Sequence, residues 1–164
     1  MKVRDANNSD IVSLERVKKT AVLHKDRILN ALDGEFRYLV IESDIGNILG
    51  HACLVFSCPK AWPSDNKDVP YPRVIDLMIC EQERHKGIGA EFMKQMESIC
   101  KRMGYKHLHL SVDPKDNKNA ILFYQSLGYT FTEKPKWRKW SFKDSDGHIH
   151  HGEGLDVRMS KQIA

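Results

Sequence analysis

Several features that would narrow the function are missing from this chain. No apolar run approaches the roughly 20 residues that a membrane span needs, which sets a membrane-embedded role aside. The opening residues, MKVRDANNSD, lack the apolar segment of a signal peptide, so a cytoplasmic protein is expected. Cysteine is sparse: Cys53, Cys58, Cys80 and Cys100 form no CxxC pair and show no zinc spacing. Cys80 closes an apolar strand-like run and Cys100 lies on an apolar helix face, surroundings that suit free buried thiols. Charge of one sign is also in short supply. The net charge of +4 is compatible with an anionic ligand but too small to argue for nucleic acid by itself. Repeats, low-complexity tracts and linkers are all absent.

What is present fits one globular domain over residues 1–164, with 41% hydrophobic and 29% charged residues. A chain of that length buries a core without staples. Ser9 is placed to cap a helix carrying Ile11, Val12, Leu14 and Val17, and a second helix is expected from Lys25 to Leu32, with Gly34 just past its end. RYLVIES and ILGHACLVF read as a β-hairpin around the turn DIGN. Residues 58–72 hold four of the six prolines and read as a long loop. RVIDLMIC, residues 73–80, is an apolar strand with one charge inside it, Asp76. Phe92, Met93, Met96, Ile99, Cys100 and Met103 form a 3.6-period stripe, and Gly104 stands at its C-terminal end. HLHLSV is the next strand, and a shorter helix follows over roughly Lys118 to Leu127, closed by Gly128. YTFTEKPKW and GLDVRMSK are expected as final strands, with a polar connection rich in Trp, Lys and His between them. This order specifies one α/β domain.

The bend after RVIDLMIC reads RHKGIG, residues 84–89. A helix N-terminus presents unpaired N–H groups and a partial positive charge. Glycines let the backbone approach a phosphate where a Cβ would collide. Arg84 and Lys86 add charge beside the same point. The stretch is no P-loop, because GxxxxGK[ST] does not occur. Nor is it a dinucleotide fingerprint, because Phe92 stands where the third glycine belongs. Taken alone, it reads either as a phosphate seat or as a glycine-rich strand-to-helix turn.

A second motif follows in NKNAILFYQSLGY, residues 117–129. With it, the chain resembles the GNAT superfamily of acetyl-CoA-dependent N-acetyltransferases. The pyrophosphate pattern Arg/Gln-x-x-Gly-x-Gly/Ala is met by Arg84, Gly87 and Gly89. The later Asn-x-x-Ala-x-x-x-Tyr-x-x-x-Gly-aromatic pattern is met by Asn117, Ala120, Tyr124, Gly128 and Tyr129. The resemblance covers most of the chain and thins over residues 58–72 and 134–153.

This resemblance implies a GNAT-like fold: a mixed central sheet of about 6–7 strands with splayed central strands, flanked by about 4 helices. It implies an enzyme that moves the acetyl group of acetyl-CoA to a primary amine of a small molecule or peptide by direct attack, with no metal. The pantetheine arm would lie beside the backbone of Leu77, Met78 and Ile79, where an N–H would also hold the developing oxyanion. The amides of Arg84, His85, Lys86, Gly87, Ile88, Gly89 and Ala90 would cradle the pyrophosphate. Asn117 would contact the cofactor or order its turn, unless it is only a helix cap. Tyr124 matches the family's general acid, the other reading being a core aromatic shared with Ala120 and Leu127.

The proton acceptor is less defined. An amine of pKa ~10.4 must lose a proton before it attacks. The family's Leu-Glu-Val glutamate is absent, since the triplet here is Leu110-Ser111-Val112. Asp76, in IDLMI, is similar in place to the aspartate of EDLYV in polyamine acetyltransferases. It reads as base, as anchor for the amine cation, or as a structural salt bridge to Arg73 or Arg138. A water chain would also serve. The acceptor is not identified by the sequence, nor is oligomeric state, for which a homodimer stays open.

Other features point elsewhere. His148, His150 and His151 invite a metal reading, but Gly147, Gly152 and Gly154 around them suggest an exposed hairpin tip. KPKWRKWSFK interleaves basic and aromatic residues as RNA binders do. On a chain of this charge a strand with one solvated face fits better, with Trp137 and Trp140 facing an acceptor cleft. His107 and His109 read as ordinary strand neighbours. An acyl-CoA-binding sensor without catalysis is the rival class.

Overall fold

The computed structural model describes residues 1–60, 68–143 and 146–164, leaving aside the side chains of residues 142 and 143. Part of the proline-rich segment expected as a long loop, residues 61–67, therefore lies outside the described residues.

Strands β1 (Lys2–Asp5), β2 (Phe36–Glu42), β3 (Ile48–Val55) and β4 (Arg73–Ile79) pair antiparallel in that order. β4 is joined to β5 (His107–Val112) as a parallel neighbour, through helix α3 (Ile88–Arg102). The expected hairpin is β2–β3, in register from Phe36↔Val55 onward. The first strand, β1, was not anticipated: four residues with no fully buried side chain carry no clear period.

The last strand, β8 (Ile149–Gln162), is 14 residues long and serves two partners. Its C-terminal half pairs with β5, from Val112↔Val157 to His107↔Gln162. Its N-terminal half pairs with β7 (Lys136–Lys143), from Lys136↔Asp156 to Lys143↔Ile149. β6 (Thr130–Phe131) also adds to β8. The Trp- and Lys-rich segment is thus a full strand rather than a connection. Gly152 and Gly154 lie inside β8, not at a tip. A Cβ at Gly152 would stand 2.5 Å from the Trp140 ring, so the glycine leaves room for the indole.

The helices cover both faces. β2 alternates Phe36, Tyr38 and Val40 toward one core and Leu39 and Ile41 toward the other. The first core lies under α1 (Ile11–Val17), through Leu14, and the second under α3, through Phe92, Met93, Met96 and Cys100. Asn7 rather than Ser9 opens the first helical segment: its side chain accepts the Ser9 N–H, and Asp10 returns a bond to the Asn7 amide. α2 spans Ala21–Asn30, four residues earlier than expected, and Gly34 closes the following turn in the left-handed region at φ 78°. α4 spans Lys118–Ser126. All four cysteines are free, but only Cys53 and Cys100 are buried, while Cys58 is exposed.

The expected mixed sheet with splayed central strands is what the chain forms. β4 and β5 share one register pair, Arg73↔His109, and the His109 N–H reaches Pro72 O at 3.0 Å. Beyond that point they part. β4 also bulges there: His51 faces Met78 while Cys53 faces Ile75, so Asp76 and Leu77 together oppose Ala52. Asp76 takes a left-handed φ of 53°, the local twist that turns β4 away from β5.

Candidate active site

At the end of β4 the chain makes a short turn, Glu81–Glu83, and enters α3 through Gly87, whose φ is 80°. His85 is left-handed too, at φ 62°. Left-handed residues alternating with ordinary ones aim neighbouring amides into one concavity, an arrangement that binds anions. Among the described residues, no acceptor meets the amides of His85, Lys86, Gly87, Ile88, Gly89 or Ala90. The helix dipole adds partial positive charge at the same place.

The two glycines have different reasons. Gly87 has open space on its Cβ side and is glycine for its backbone angle. Gly89 is not what lets a ligand in close. A Cβ there would lie 3.2 Å from the Phe123 ring and 3.8 Å from Ile79 of its own fold. It is the packing glycine that seats α4 against the bend. Arg84 donates Nε to Ile79 O at 3.1 Å, and Lys86 pairs with Glu83 at 3.0 Å. Both basic residues stay at the exposed rim.

Tyr124 lies on α4 next to Phe123, with its ring edge-on to buried Tyr129 at 5.9 Å. Burial pushes its phenol up to about 12, so it holds its proton at neutral pH. Its hydroxyl has no hydrogen-bond partner among the described residues, unlike that of Tyr129, which donates to Glu97 at 3.0 Å. Asn117 precedes α4 but makes no side-chain cap bond, so capping does not account for its side chain.

Asp76 is fixed by residues that sequence reasoning did not bring to it. Lys18 Nζ donates to both carboxylate oxygens at 2.8 and 2.9 Å, and Arg27 Nη1 donates at 2.6 Å. Neither Arg73 nor Arg138 is its partner: Arg138 binds Asp156 at 2.7 Å and also Glu133. Burial alone would raise the Asp76 pKa, but the charge of Arg27 and hydrogen bonds from Lys18 and Arg27 hold it at about 2. A carboxylate that acidic is a poor base. Behind it sit two buried histidines. His24 bonds Tyr38 through Nδ1 at 2.6 Å, while His51 is fully buried with both ring nitrogens unpartnered.

Beside the splay opens a cavity of about 620 Å³, lined from both strands by Arg73 and Ile75 of β4 and Ser111 of β5, and from other elements by Arg27 of α2, Trp140 of β7 and Arg158 of β8. Trp140 lines this cavity. Trp137 is not among the lining residues and is exposed. Ser111, in place of the family glutamate, accepts from Arg73 at 3.1 Å. His107 and His109 neighbour each other at 6.3 Å. Among the described residues no group of three or more His, Cys, Asp or Glu could hold a metal, and no helix is long and apolar enough to cross a membrane.

A sequence model of the family described as "Acetyltransferase (GNAT) family" matches residues 6–129. The chain belongs to the GNAT acetyltransferase family. Acetyl transfer from acetyl-CoA is the general chemistry of that family, and the open, amide-lined bend of this GNAT chain fits the pyrophosphate of such a molecule. Solved structures share the fold throughout. An aminoglycoside 6'-N-acetyltransferase complexed with coenzyme A is 12% identical at a TM-score of 0.63, covering 100% of this chain and 98% of that one. A ribosomal-protein-alanine N-acetyltransferase from Brucella melitensis is 17% identical at 0.63, covering 99% of each. A spermidine N-acetyltransferase chimera of Vibrio cholerae is 13% identical at 0.67, covering 99% of this chain and 95% of that one. No curated protein matches the sequence.

Proposed function

We propose that this chain is an N-acetyltransferase that acts on an amine of a small molecule or peptide. The observation that carries the reading is the juxtaposition at one bulge: β4 and β5 part, a seat of free amides stands at one end of the gap, and a cavity opens beside it.

When bound, acetyl-CoA supplies the activated acyl group that the amine takes up. The chain's own part is to hold and to move protons. Amides from His85 to Ala90 seat the pyrophosphate, the Arg84 N–H being taken by Glu81 O, with the Arg84 and Lys86 side chains at the rim. The backbone of Leu77, Met78 and Ile79, freed from β5 by the splay, flanks the pantetheine arm and offers an N–H to the developing oxyanion. Tyr124, protonated and unpartnered, is the proton donor to the leaving thiolate. Asp76 is a positioning residue: it fixes Lys18 and Arg27 at the cavity wall. The amine's proton then leaves through water. Asn117, with no capping bond, is free to meet the cofactor.

Polycationic acceptors such as aminoglycosides or spermidine do not suit this cavity. Six cationic side chains line it against three carboxylates; Asp76 and Glu133 behind the lining pair with three of the six, and the like charge that remains for a polycation to meet lies at Arg73 and Arg158. The test is release of free CoA thiol from acetyl-CoA across a panel of amines. Turnover by at least one amine upholds the reading. Binding of acetyl-CoA with no turnover by any amine contradicts it.

A further inference from the structure

We infer that the acceptor carries a carboxylate as well as its amine, and that Arg73 and Arg158 are the residues that read it. This rests on the transferase reading for the identity of the cavity, but its evidence is separate.

The charged groups around the cavity are mostly neutralised within the fold. Lys18 and Arg27 share Asp76, and Arg138 is held between Glu133 and Asp156. Arg73 is different. Among the described residues its only side-chain hydrogen bond goes to the Ser111 hydroxyl, and none of their carboxylates lies within ion-pair distance, Asp156 acting on it only from farther off. Its Nε is buried without a partner. Arg158 is similar: Nη1 donates to the Asp68 carbonyl at 3.0 Å, and its nearest carboxylate, Glu133, stands 3.8 Å away and is already shared by Arg138 and Lys136. The Arg158 Nε is likewise buried without a hydrogen bond, its one contact being that long ion pair with Glu133.

Two desolvated guanidiniums on one cavity wall, each with a donor left over, are costly unless an anion completes them. Burial lowers the Arg73 pKa from its ordinary value, which records that cost. A guanidinium nevertheless stays charged at neutral pH. Its planar fork matches a carboxylate, which can accept from two donors at once. The same wall carries Ile75 and Leu155, so the fold supplies apolar contact around the polar anchor, as small-molecule sites do. Arg73 stands where β4 and β5 still touch, and the splay begins just beyond it. An acceptor anchored there by its acid extends toward the bulge, where its amine meets the acyl group.

The test compares amino acids with their carboxamides, pairs that differ in the anion and in the basicity of the amine beside it, so kcat/KM is referred to the concentration of neutral amine. Two readouts are taken on the full chain: kcat/KM by CoA thiol release, and the melting temperature of the CoA-saturated protein. The free acids are expected to exceed their amides by about tenfold or more in kcat/KM, and to raise the melting temperature where the amides do not. In Arg73→Gln, and in Arg158→Gln as a second variant, the free acid is expected to lose at least about tenfold more than its amide does. Amides that match or outdo the acids in the wild-type protein overturn the inference and leave the transferase reading standing, as does an equal loss on both members of each pair. Acids that stabilise the protein through Arg73 while no amine releases thiol uphold the carboxylate site and overturn the transferase reading. No stabilisation and no turnover by any pair overturns the inference.

Discussion

Asp76 and Arg27, 49 residues apart in sequence, meet at 2.6 Å between carboxylate and guanidinium. Lys18 completes the triad from 58 residues away. The pair converts a charge inside an apolar strand into a brace between α2 and the β4 bulge. Removing the carboxylate leaves Arg27, whose side chain is 9% exposed, as a buried cation with no ion-pair partner among the described residues. Asp76→Asn is expected to cost about 3 kcal/mol of stability in denaturant titration. The carboxylate's pKa is depressed, so its contribution is complete above the ordinary value and fades only as pH falls toward about 2. The kcat/KM profile is therefore expected to carry no inflection from Asp76 between pH 5 and 9. A limb there that vanishes in Asp76→Asn would restore the base assignment.

This brace also marks how far the sequence could be read. The strand, bend and helix from Arg73 to Gly104 were legible because each signal is local: a short apolar run, two glycines, a 3.6-period stripe. Asp76 was conspicuous for the same reason, as one charge in an apolar strand. Its partners were not, because Lys18 and Arg27 look like any surface cations until tertiary packing brings them together. Gly152 carried a similar ambiguity. A glycine beside histidines resembles a turn, and only the cross-strand position of Trp140 shows its packing role. Arg73 and Arg158 gave no sequence signal as a pair.

Tyr124→Phe removes the phenolic proton and keeps the ring against Phe123 and Tyr129. Loss of about 10²–10⁴-fold in kcat is expected, with acetyl-CoA affinity unchanged by calorimetry. Unchanged turnover would remove Tyr124 from the mechanism.

His51 is buried and neutral, with burial lowering its pKa to about 3. An unfolded histidine takes up a proton near pH ~6.5. Between these values the unfolded state binds more protons, so stability falls as pH drops below about 6.5. The slope from this one group approaches ~1.4 kcal/mol per pH unit. His51→Leu is expected to flatten the dependence of stability between pH 6 and 4 by about that amount, measured by urea titration at each pH. An unaltered slope would assign it to other groups.

Gly152→Ala places a Cβ where the Trp140 indole now lies, within 2.6 Å of three ring atoms. Trp140 lines the cavity but not the amide-lined bend. The variant is expected to raise KM for the acceptor several-fold, through a displaced indole, with acetyl-CoA affinity intact. Steady-state kinetics with each substrate varied in turn checks this. An effect confined to acetyl-CoA would contradict the placement of the cleft.

The account depends most on the bend at Gly87 gripping the pyrophosphate of coenzyme A. Gly87→Val imposes a β-branched side chain on a left-handed backbone, strain of roughly 1–2 kcal/mol, at the point where the free amides converge. Calorimetric titration of acetyl-CoA into the wild-type protein and this variant decides the matter. The account predicts saturable binding to the wild-type protein, weakened about tenfold or more in a variant that still melts cooperatively. No heat with the wild-type protein, or equal affinity in both, would contradict it.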